Sequence, residues 1–165
     1  MSTAMIWQTR CISSDETEWL GEVLGRLLKA GEVIELQSDL GSGKTTFVRG
    51  LARGMGSRDT VASPTFTLSN IYRAKSAEIH HFDFYRLNDP GILSDQLRES
   101  LSNPKVVTVV EWGRSVQNVL PGRRMTIKLQ PLGSDSRERK VIVEYPESKT
   151  GLIKKLETSW KALRP

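Results

Sequence analysis

Cysteine is almost absent: Cys11 stands alone among 165 residues, which excludes a disulfide framework and a cysteine-built metal cluster and fits a reducing compartment. A lone cysteine of this kind reads as a small buried hydrophobe rather than a reactive thiol. Long hydrophobic runs are missing too, the longest being stretches such as 106-VVTVV-110, far too short to span a bilayer. The opening MSTAMIWQTR lacks the charged-then-apolar layout of a secretory signal, so a cytoplasmic chain with no membrane attachment is expected. There are two histidines, His80 and His81; with no matching Cys or His set elsewhere, they read as strand residues rather than metal ligands.

No block of like charge is present, although the formal net charge is +5 and the pI about 9.5. Much of the basic excess lies in the second half, at Arg123, Arg124, Arg137, Arg139, Lys140, Lys154 and Lys155, interspersed with acidic residues. No aromatic residues alternate with them as a base-stacking platform requires, so a solvated surface is the plainer reading, with docking near RNA left open. At 38% hydrophobic and 26% charged, the chain reads as one globular domain over residues 1–165, with no repeat, linker or low-complexity segment.

The most informative segment is 33-VIELQSDLGSGKTT-46: a short apolar strand, a glycine-bearing turn, Lys44, then Thr45 and Thr46. A triphosphate needs backbone N–H donors at close range, one long cation, and one hydroxyl for Mg²⁺. Gly41 and Gly43, Lys44 and Thr45 supply these in turn. The loop then opens the helix 44-KTTFVRGLARGM-55, whose positive N-terminal end faces the phosphates. Ser38 stands where the general pattern has its first glycine, a departure that matters little where φ is negative. The alternative is a glycine-containing turn without a ligand.

Around this loop the pattern predicts a strand over 5–12 and an amphipathic helix over 15–30, capped from Ser13-Ser14-Asp15 and stopped at Gly31. A loop over 57–66 precedes an antiparallel hairpin, 67–74 with 77–87, turning at Lys75-Ser76. A turn at 88–91, a short helix over 92–101 and a strand over 105–112, apolar on both faces, come next. Strands 124–130 and 139–145 flank a polar loop, and a last helix covers 149–163. The fold class is therefore α/β, a P-loop NTPase-like three-layer sandwich whose mixed sheet has a parallel core and antiparallel additions.

Hydrolysis needs a carboxylate at a neighbouring strand end. Glu111 closes the valine-rich strand at the edge where ligands bind in open α/β sheets, placed to hold Mg²⁺ or polarise the attacking water. Asp83, among Phe82, Phe84 and Tyr85, is a second candidate; partial burial demands a partner, either metal-linked charge or Arg86. The loop 63-SPTFTL-68 offers hydroxyls to Mg²⁺ or phosphate at Ser63, Thr65 and Thr67, or is a proline-ordered turn.

Taken together, DLGSGKTTFVRGLARGMG, SPTFTL, HHFDFYRL followed by DP, and VVEWGR resemble the bacterial TsaE (YjeE) family over roughly residues 12–145. The resemblance implies a small P-loop ATPase needed for threonylcarbamoyladenosine in tRNA, with ATP and Mg²⁺ as cofactors. Carried over by position, it gives ATP contacts to Asp39, Leu40, Gly41, Ser42, Gly43, Lys44, Thr45 and Thr46, with Thr17 near the nucleotide. It gives Mg²⁺ to Thr45 and Glu111, catalytic roles to Glu111, Asp83 and Lys44, and importance to Trp112. It implies the transferase subunit TsaD and its companion TsaB as partners, any contact with tRNA being indirect. The stretch 91-GILSDQLRESLSNPK-105 departs from the family's acidic, glycine-containing pattern. Rival readings are a small-molecule or nucleotide kinase, which needs a lid that strands flanking Arg137 and Arg139 do not provide, and a nucleotide-dependent switch that scarcely hydrolyses.

Overall fold

Seven strands form one sheet in the order β1-β7-β6-β2-β5-β4-β3. The computed structural model describes residues 4–38, 41–64, 67–85, 87, 89, 91–134 and 136–164. Asp39 and Leu40 of the expected phosphate loop, Thr65 and Phe66 of SPTFTL, and Arg86, the expected partner of Asp83, lie outside the described residues.

The elements follow the sequence pattern closely. β1 (Met5–Cys11) leads into α1 (Ser14–Leu27) through Ser13, whose hydroxyl accepts from the Glu16 N–H, while Glu16 reaches back to the Ile12 N–H at 2.8 Å. β2 (Val33–Gln37) and α2 (Lys44–Gly54) bracket the phosphate loop. β3 (Ser69–Arg73) and β4 (Glu78–Asp83) form the expected hairpin, but β4 stops at Asp83 rather than 87. The reason is local: the Asp83 carboxylate accepts from the Tyr85 N–H at 2.8 Å and turns the chain out of the sheet. After α3 (Gly91–Ser102), β5 (Val106–Glu111) ends one residue short of 112 because Trp112 takes a left-handed conformation, φ 56°. β6 (Met125–Pro131), β7 (Arg139–Tyr145) and α4 (Thr150–Leu163) complete the chain.

The strands β6, β2, β5 and β4 pair in parallel, while β7, β1 and β3 add antiparallel edges, as the sequence predicts. Helices α1, α2 and α4 cover one face through Leu20, Leu24, Phe47, Leu51, Ile153 and Trp160. On the other face α3 and the segment after β5 pack Leu93, Leu97 and Val116 on Phe82 and Val110.

Four glycines fix how closely α1 and α2 approach. A side chain at Gly21 or Gly25 would overlap the carbonyls of Phe47 or Leu51, and one at Gly50 or Gly54 those of Glu18 or Glu22. This two-sided contact holds α2, and hence the phosphate loop, against α1 backbone to backbone. In consequence the side chain of Thr17 on α1 lies 3.7 Å from where a Cβ on Gly43 would stand.

Candidate nucleotide site

The parallel register sets the site. Leu36 on β2 pairs with Glu111 on β5, and Glu111 with Asp83 on β4, so the phosphate loop and both carboxylates leave the sheet at one carboxyl edge. A cavity of about 240 Å³ there is lined by Gly41, Gly43, Lys44, Thr45, Thr46, Ser63 and Glu111. The loop's glycines, the following lysine and threonines, the strand-end glutamate and the first hydroxyl of SPTFTL thus meet at one place. Asp83 stands one strand away, buried, its backbone N–H bonded to Leu68 O at 3.0 Å.

Gly41 (φ 75°) and Gly43 (φ 100°) occupy left-handed backbone, where a Cβ is strained. Ser38 does not: among the described residues the non-glycines at positive φ are Leu68 and Trp112. Serine in place of the first P-loop glycine is therefore unstrained. Its hydroxyl is hydrogen-bonded with Leu129 O and Ser42 Oγ, which ties the loop to β6, and its carbonyl receives the Lys44 ammonium at 3.0 Å. Leu68 receives the Asp83 N–H and Trp112 follows Glu111 directly, and strained backbone collects where function over-determines it. The Trp112 indole lies over the Lys44 ammonium, 4.7 Å from ring centre, and against Tyr85.

Three features escaped the sequence reading. His81, fully buried, donates from Nε2 to Glu111 Oε1 at 2.9 Å and faces the Tyr72 hydroxyl at 3.4 Å through Nδ1. Its place two residues before Asp83 on the same strand face was the available signal. Burial, foremost, pushes the Tyr72 hydroxyl above its ordinary pKa, with the Glu111 charge adding to it, so Tyr72 remains a proton donor. Arg139, far away in sequence, donates from Nε to Ser42 O at 2.8 Å and from its outer nitrogen to Gly41 O at 3.4 Å. Its remaining nitrogen holds Ser136 O and Glu138 O at 2.7 and 2.9 Å, so it is a strut between β7 and the phosphate loop. No local signal marked it. The third feature is the set of paired helix glycines.

A larger cavity of about 560 Å³ opens on the far side of Ser38 and Trp112, toward Gln37, Gln117, Lys128 and Gln130. Its buried carboxylate, Glu35, is engaged by Gln37 and Gln117 at 3.0 and 2.7 Å and by Arg124 at 3.5 Å. That carboxylate is thus taken up by neighbouring donors where it stands. Cys11 is buried and its thiol is pushed up to about 12, chiefly by burial, so it stays protonated.

A family model described as threonylcarbamoyl adenosine biosynthesis protein TsaE matches residues 11–141. The chain belongs to the TsaE family. A tRNA threonylcarbamoyladenosine biosynthesis protein TsaE from Treponema pallidum is 40% identical over 132 residues, covering 78% of this chain and 96% of its own. Its namesake from Bacillus subtilis is 34% identical over 132 residues, covering 80% and 81%. The crystal structure of Bacillus subtilis YdiB superposes with a TM-score of 0.77 at 26% identity, covering 96% of this chain and 98% of that one. The matched range includes the ends of β4 and β5, which carry His81, Asp83 and Glu111. No helix of the described residues is long and apolar enough to cross a membrane.

Proposed function

We propose that the protein binds ATP with Mg²⁺ and hydrolyses it in support of the threonylcarbamoyladenosine modification of tRNA, acting in the cytoplasm on TsaD and its companion TsaB, with any contact with tRNA indirect. The observation that carries this reading is the single cavity shared by Gly41, Gly43, Lys44, Thr45, Thr46, Ser63 and Glu111.

The donor set suits the ligand. Backbone N–H groups at the start of α2 and the Lys44 ammonium are donors of the kind phosphate oxygens require. Mg²⁺ takes hard oxygen ligands and keeps several from water and phosphate, so one or two protein oxygens suffice, here Thr45 Oγ1 and Glu111. The bound ion supplies neutralisation of the charge developing on the phosphates. Lys44 must exchange Ser38 O and the Trp112 face for phosphate oxygens, and Glu111 offers the cation the oxygen that His81 does not hold. Asp83, in register beside Glu111, is assigned to the same edge and adds negative potential that favours the cation.

Among the described residues lining the cavity, Lys44 is the cation and no arginine is present. A missing transition-state arginine costs such sites roughly 10³–10⁵ in rate. The lone protein is accordingly a weak ATPase whose cycle depends on partners. The test is steady-state hydrolysis by the protein alone, then with TsaB and TsaD, then with tRNA. Low turnover alone that changes with the partners is expected. Vigorous hydrolysis alone, unmoved by every addition, would reject partner gating and restore the kinase reading, for which candidate acceptors would then be assayed.

A further inference from the structure

Behind the cavity, Glu111 begins a chain of four groups whose other three members the nucleotide reading does not use. Glu111 Oε1 receives the His81 Nε2–H at 2.9 Å, and the Tyr72 hydroxyl stands between two acceptors for its one proton, Ala62 O at 2.9 Å and His81 Nδ1 at 3.4 Å. Asn70 donates to the same carbonyl at 3.2 Å and receives the Thr67 hydroxyl at 3.0 Å, so the loop is gripped on both sides of Ser63. Ser63, next to Ala62, lines the same cavity as Glu111. The chain therefore joins the Ser63-bearing loop to the Glu111 carboxylate, two parts of one cavity lining, through strands β3 and β4.

We propose that His81 is a positioning residue: it fixes the Glu111 carboxylate for a divalent cation arriving with the nucleotide and ties that carboxylate, through Tyr72, to the Ser63-bearing loop. This rests on the assignment of Glu111 to Mg²⁺. A carboxylate at a buried strand end can rotate, and the entropy of holding it falls on the metal unless a neighbour has already fixed it. With Oε1 held by His81, the second oxygen is left to the cation. Partners of this kind, when removed, commonly cost 10- to 100-fold in metal affinity. A histidine that merely fills the core would instead affect stability and leave metal dependence alone.

Two substitutions separate these roles. His81→Gln places an N–H near the position of Nε2 and keeps the bond to Glu111, whereas His81→Asn keeps a polar atom near Nδ1 and loses it. The measurement is calorimetric binding of a non-hydrolysable ATP analogue, titrated with Mg²⁺ and repeated in EDTA, with the ligand-free Tm as the fold control. For His81→Asn the Mg²⁺ midpoint should rise about 10-fold or more with affinity in EDTA unchanged, and His81→Gln should restore it. Tyr72→Phe, which removes one oxygen without opening a cavity, should raise the midpoint in the same direction and be non-additive with His81→Asn. It also keeps the test available if His81→Asn does not fold. Glu111→Gln is the control for the underlying assignment: if it leaves the Mg²⁺ midpoint unmoved, the assignment of Glu111 fails. If Glu111→Gln shifts the midpoint while His81→Asn and Tyr72→Phe do not, the positioning role of His81 is overturned and Glu111 stands.

Discussion

Removing the Arg139 guanidinium should loosen the phosphate loop without touching the ligand. In a phosphate-binding loop the N–H groups converge on the anion and the carbonyls point outward. Arg139 holds two consecutive outward carbonyls, Ser42 O at 2.8 Å and Gly41 O at 3.4 Å, and so pre-orients the inward amides. The first is a good charge-assisted bond, worth about 1.5–3 kcal/mol. The second is long and adds little. If that energy is lost only from the ordered loop, nucleotide affinity in Arg139→Ala should fall about 10- to 100-fold, since 1.4 kcal/mol is a factor of ten. Arg139→Lys keeps the charge but not the fork and should fall between. Calorimetry with ATP, ADP and inorganic triphosphate distinguishes the routes: an effect through the loop is similar for all three, whereas direct contact with the base or ribose spares triphosphate. Unchanged ATP affinity in a folded Arg139→Ala would refute the strut, and a loss confined to ATP and ADP would refute action through the loop.

Lys44→Ala should abolish most of the rise in Tm that ATP with Mg²⁺ confers, measured by differential scanning fluorimetry; an unchanged rise would defeat the phosphate-loop assignment. Thr45→Ala and Glu111→Ala should impair Mg²⁺-dependent hydrolysis in the presence of partners more than nucleotide binding, as paired turnover and calorimetric measurements would register. Gly50→Ala drives a methyl into Glu18 O and should cost about 1–3 kcal/mol by overpacking, whereas Gly151→Ala in α4, with open space around it, should be neutral or slightly stabilising in denaturant melts. Equal stability of the two variants would show that the α1–α2 contact is not limiting.

What the sequence discloses here depends on whether a residue's partner is local. The start of α2 at Lys44, the capping of α1 at Ser13, the hairpin turn at Lys75-Ser76 and the valine-rich β5 each depend on neighbours a few positions away, and each appears where the pattern places it. Glu111 and Asp83 reach one sheet edge because parallel strands β4, β5 and β2 end together, which strand polarity alone dictates, and Glu111 alone of the two lines the cavity. Ends are less legible: β4 yields to the Asp83 side chain and β5 to the left-handed Trp112, choices made by hydrogen bonding and strain rather than hydrophobic period. Long-range partners are hidden altogether. His81 looks like a strand residue until β5 brings Glu111 beside it, and Arg139 looks like part of a basic surface until β7 brings it under the loop. The glycines at 21, 25, 50 and 54 carry the same lesson from the opposite direction. Glycine in a helix costs about 1 kcal/mol of intrinsic stability, so four of them on two helices signal a contact that no other side chain permits. That contact sets α2 against α1, α2 carries Lys44 and Thr45, and α1 carries Thr17 to the rim of the loop. The placement of Lys44 and Thr45 is therefore fixed by a helix crossing that contains neither of them in its contact.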